Sequence, residues 1–121
     1  MAIFDNQSNA IVQNTYGIAP LQSLNAVSAT GGGVSLDGQV TRQNATMVVN
    51  SSAGVSAGSV QMQGSLDGTN WFSLGSAVST TTASTVFTPV VVQNAYVRFV
   101  RANVATAITG GTISAVVGLN G

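Results

Sequence analysis

At 121 residues the chain has room for one domain with one modest core. Charge is confined to six side chains, Asp5, Asp37, Asp67, Arg42, Arg98 and Arg101, which is 5% of residues where soluble domains average about 25%. There is no Lys, Glu, His or Cys, which excludes disulfides, thiol chemistry and nitrogen or thiolate ligands for zinc, copper or iron.

Three scattered arginines cannot neutralise a run of phosphates or form a polybasic membrane patch, so neither nucleic acid nor a membrane is an expected partner. With 45% hydrophobic residues and zero formal net charge, the surface must be built from Ser, Thr, Asn and Gln, and little repulsion keeps copies apart. Such a composition suits a chain that covers much of its exterior by assembly. The N-terminal Met1–Asn6 stretch has neither the basic start nor the apolar core of a signal peptide, and no run of apolar residues reaches membrane-spanning length. Synthesis in a cytoplasm and a soluble product are the expectation.

Residues 1–33 interleave amides and hydroxyls with single apolar residues (Ile3, Phe4, Ile11, Val12, Tyr16, Ile18, Leu21, Leu24) and hold no period for long. They are expected to form an extended N-terminal arm, with an optional short helix over Leu21–Val27 between Pro20 and Gly31-Gly32-Gly33. Fully extended, such an arm reaches on the order of 100 Å at ~3.3 Å per residue.

From Val34 to Gly121 Val, Thr, Ile, Phe and Tyr stand between Gly-rich breaks. The predicted strands are Gln39–Asn50, Ser59–Ser65, Asn70–Leu74, Ser84–Val92, Ala95–Val104 and Gly111–Leu119. Val60-Gln61-Met62-Gln63 alternates, and Ile113, Ala115, Val117 and Leu119 repeat the alternation, so each strand has one buried and one wet face. Asp37-Gly38 and Asp67-Gly68, both in Ser-Leu-Asp-Gly, predict turns, the second a hairpin with positive φ at its glycine. Gly110-Gly111 predicts another. Short strands without long helices indicate an all-β antiparallel sandwich, of jelly-roll or immunoglobulin-like connectivity.

Chemistry has few candidates. A general acid or base needs a group poised near working pH, and a nucleophilic Ser or Thr needs an activating base; neither is in sight, since the Asp-Gly carboxylates fit turns. No catalytic residue, cofactor or metal site is expected, and Asp67-Gly68-Thr69-Asn70 is too short and too poor in carboxylates for a calcium loop. Arg98 and Arg101, at odd separation on one strand, are expected on opposite faces, one nearer the core or an interface. Trp71 and Phe72, being adjacent, are expected to send at least one ring into the core, although an exposed Trp71 among amides would suit glycan stacking.

The runs Gln63–Gly75, Tyr96–Val104 and Gly111–Ala115 resemble the β-sandwich module of small tailed-phage virion proteins, including head decoration or cement proteins and tail or fibre appendages. The resemblance covers Val60 to Leu119, about half of the chain. Ser65–Trp71 also resembles a hairpin of discoidin-like and carbohydrate-binding sandwiches, whose ligand loops have no counterpart here. The resemblance implies a structural virion protein on the capsid surface, frequently trimeric, whose partners are the major capsid protein and copies of itself. Phe4, Ile11, Tyr16, Arg98 and Arg101 are then candidate interface residues, and Trp71 the candidate glycan contact if the chain is instead an appendage that recognises host glycans.

Overall fold

The computed structural model describes residues 18–121 and, before them, the backbone of two short strands, β1 (Ala2–Phe4) and β2 (Ala10–Val12), which pair antiparallel with Ile3 opposite Ile11. The side chains of Phe4 and Ile11, and all of Tyr16, lie outside the described residues.

Nine further strands follow: β3 (Leu21–Val27), β4 (Gly31–Gly32), β5 (Leu36–Arg42), β6 (Asn44–Ser51), β7 (Ala57–Ser65), β8 (Phe72–Ser79), β9 (Val90–Val92), β10 (Val97–Thr109) and β11 (Ile113–Asn120). They form two antiparallel sheets. One runs β3-β11-β6-β9; the other runs β4-β10-β7-β8, with β5 beside β4 along the same edge of β10. Every connection from β3 onward crosses between the sheets except β4 to β5 and the β7–β8 hairpin. The chain is thus one antiparallel ribbon folded at that hairpin, pairing β3 with β11, β5 with β10, β6 with β9 and β7 with β8, then rolled so that β11 meets β6 and β10 meets β7. This is jelly-roll connectivity.

The alternation seen in the sequence sets the core. Val60 and Met62 of β7, Ile113, Ala115, Val117 and Leu119 of β11, Met47 and Val49 of β6, and Val97, Val100, Ala102 and Val104 of β10 are buried between the sheets. Each fully buried Val, Ile or Met contributes on the order of 1.5–3 kcal/mol.

Several expectations change. Leu21–Val27 is a strand rather than a helix: its Leu24 joins the core and it pairs with β11 in the same sheet, so a partner strand distant in sequence outweighs the local helix signals. Gln39–Asn50 is two strands meeting at Gln43, one in each sheet. Of Ser84–Val92 only Val90–Val92 forms a strand, with a lone bridge from Val86 to Asn50. Asp37-Gly38 is no turn but lies within β5. Gly38 is buried where a Cβ would meet the Arg42 Cγ at 2.8 Å and the Arg98 carbonyl at 3.0 Å, and the left-handed residue is Gln39. Gly68 does take positive φ, at 78°.

Candidate functional site

The two Ser-Leu-Asp-Gly tetrapeptides converge on one residue. Phe99 of β10 stands opposite Asp37 on one side and opposite Ser65 on the other. On this outer face of the larger sheet four of the five charged side chains of residues 18–121 gather, with Trp71 and Phe99 between them.

The β7–β8 hairpin delivers Trp71. Ser65 Oγ accepts the N–H groups of Asp67 and Gly68 and donates to Asp67 Oδ1. That Oδ1 also accepts the N–H of Thr69 and of Asn70, both at 2.8 Å, while Oδ2 accepts Asn70 Nδ2 at 2.7 Å. These donors, led by the Asn70 backbone N–H, hold the Asp67 carboxyl far below the usual carboxylate range. The turn is closed by its own aspartate, as the Asp-Gly pattern predicts, and the next residue is Trp71.

Trp71 lies half-buried on the outer face, its ring centroid 4.2 Å from Arg101 Cζ. Arg101 Nε donates to Gln63 Oε1 at 2.9 Å, across the register that pairs these two residues. The guanidinium also lies over Gly32 of β4, where any Cβ would overlap Cζ and Nη1. Burial lowers the Arg101 pKa. Beside it, Arg98 makes a bidentate pair with Asp37, Nε to Oδ1 at 2.9 Å and Nη2 to Oδ2 at 3.1 Å, with its Cζ 5.0 Å from the Phe99 ring. The pair holds Asp37 below its ordinary value and Arg98 above. Leu66 and Phe72 stand exposed on the same hairpin, at 61% and 46%.

Two expectations are corrected. Arg98 and Arg101 do not take opposite faces: an irregularity between Val97 and Phe99 buries Val97 and Val100, three residues apart, and both arginines reach the outer surface. Neither Trp71 nor Phe72 enters the core; the buried residue of that strand is Leu74. The buried arginine is Arg42, 5% exposed, whose Nε donates to the Gly38 carbonyl at 2.9 Å. Gln63 and Gly32 escaped notice in the sequence. Gln63 was visible only as the wet half of an alternation and Gly32 only as a chain breaker, because their roles depend on sheet register. Among the described residues no three His, Cys, Asp or Glu side chains stand together as metal ligands.

The described residues define a jelly-roll β-sandwich with an arginine–aromatic outer face. No protein-family model matches the sequence, and no curated protein does. The fold is shared with the SPBc2 prophage-derived protein YomS, whose crystal structure matches 92% of this chain and 100% of its own, with 12% identity and a TM-score of 0.59.

Proposed function

We propose that this chain is a structural protein of a phage particle, a decoration or cement protein that binds the outside of the head as a homotrimer and works by assembly rather than by chemistry. The observation that carries this reading is a jelly roll matched over 92% of the chain by a prophage-derived protein, a fold that recurs in viral capsid domains. The outer face adds support, since arginine and aromatic side chains are enriched at protein interfaces, and a chain of zero net charge has little to keep its copies apart. The test is light scattering on a sizing column, followed by co-sedimentation with phage heads stripped of surface proteins. A particle of three times the 12.1 kDa chain mass that saturates on heads and raises their disruption temperature is the expected result. A monomer at all concentrations that stays in the supernatant would overturn the proposal.

One observation favours a second reading, a tail or fibre appendage that recognises host glycans: Trp71 sits on the outer face rather than in the core, against the Arg101 that the Gln63 amide holds. Its ring already carries the Arg101 guanidinium, so a sugar would have to use the remaining surface. Glycan-array binding that Trp71→Ala removes, with no binding to heads, would move the assignment to this reading.

A further inference from the structure

We infer that Arg101 is the recognition point for a carboxylate on a partner protein, held ready by Trp71, Gln63 and Gly32. The inference follows from how each charge on this face is satisfied. Asp67 is saturated by the donors of its own turn. Arg98 and Asp37 satisfy each other with two parallel hydrogen bonds. Arg101 differs. Its Nε is bonded to Gln63, but among the described residues the N–H groups on Nη1 and Nη2 have no acceptor and no acidic side chain pairs with it.

Those N–H groups are open to solvent, since the one sealed side-chain nitrogen or oxygen without a partner among the described residues is Thr80 Oγ1, so an incoming acceptor can reach them, while partial burial lowers the Arg101 pKa. The guanidinium is also fixed in place. The Trp71 ring stacks on it, Gln63 holds Nε, and Gly32 leaves the space it occupies. A guanidinium fork immobilised beforehand loses less entropy on binding and matches a carboxylate with two parallel hydrogen bonds. A single such cation suits one carboxylate, not a phosphate backbone, whose binding needs several. The Trp71 ring against Arg101 and the Phe99 ring beside Arg98 give the ligand an apolar margin on this face, so the carboxylate belongs to a protein surface with apolar neighbours. The identity of that protein as a head component rests on the proposed function; the recognition chemistry can be tested on the isolated chain.

Trp71 is the only tryptophan of the sequence, so its fluorescence reports directly on Arg101. The purified chain is titrated with an N-acetylated, C-amidated Glu-Ala-Leu-Glu peptide, with the Gln-Ala-Leu-Gln peptide and an oligogalacturonate as comparisons. The expected result is a saturable change with the acidic peptide, weakened by salt and at least about tenfold weaker in both Arg101→Gln and Arg101→Lys. Val116→Thr, on the outer face of the other sheet, should titrate like the parent. Thermal unfolding of each variant confirms that it is folded. Equal responses to acidic and neutral peptides, an unchanged titration in Arg101→Gln, or a response to the oligogalacturonate alone would overturn the inference. A specific peptide response in a chain that fails to bind heads would uphold it while removing the head as the partner.

Discussion

The Ser23 hydroxyl joins the two sheets: on β3 of one sheet, it accepts the N–H of Ala102, on β10 of the other, at 2.9 Å, and donates to the Val34 carbonyl at 2.7 Å. Both residues are buried. Ser23→Ala would leave the Ala102 amide without its acceptor in a dry environment, and the expected loss is about 1–3 kcal/mol. Chemical denaturation of the variant measures it. A loss below about 0.5 kcal/mol would mean that another group takes over the amide.

Two neighbouring glycines should behave oppositely. A Cβ on Gly33 would overlap the backbone carbonyl of Ser23, which cannot move without breaking the bond from the Val34 N–H to that carbonyl, 2.8 Å long. Gly33→Ala should therefore cost about 2–3 kcal/mol or prevent folding. The nearest atoms to a Cβ on Gly32 are those at the end of the Arg101 side chain, which an overlap of this size pushes aside. Gly32→Ala should cost under about 1 kcal/mol while altering the Trp71 fluorescence spectrum. Equal destabilisation by the two would show that Arg101 cannot be displaced.

Trp71→Ala removes a ring that packs on an arginine at the surface rather than in the core. The expected cost is about 1–2 kcal/mol, from partial apolar burial and the cation–π contact, well below the ~3–5 kcal/mol for a buried tryptophan. Equilibrium unfolding followed by far-ultraviolet circular dichroism avoids dependence on the missing fluorophore. A cost in the higher range would mean that Trp71 also holds the hairpin in register.

How much of this was legible in the sequence depends on the range of the interactions involved. The sandwich was legible because its signal is local: Ile113, Ala115, Val117 and Leu119 alternate in the sequence and are all buried in the structure. The Asp67-Gly68 turn was legible for the same reason, since the donors that bind Asp67 come from residues 65–70. Strand β3 was not, because its partner β11 lies some ninety residues further along and Pro20 imitates a helix start. The common face of Arg98 and Arg101 was hidden by the irregularity between Val97 and Phe99, which strict alternation cannot foresee. The candidate site, finally, is assembled from β4, β7, β10 and the residue before β8, and only register brings these together.

Acid should act on the hairpin through Asp67. Its folded pKa lies well below the ordinary 3.8, chiefly through the backbone N–H groups of Asn70 and Thr69. A group depressed on folding contributes stability that is fully present above its unfolded pKa and is lost as pH falls through the folded one. The parent should therefore lose stability as pH drops below about 4, and the effect should still be growing near pH 2. Asp37, depressed by Arg98, adds a loss of the same sign. Asp67→Asn cannot ionise, so its thermal midpoint should be lower than the parent's near pH 6 and should converge on it in acid. Parallel pH profiles for the two proteins would show that the charge of Asp67 contributes nothing and that its amide replacement satisfies the turn equally well.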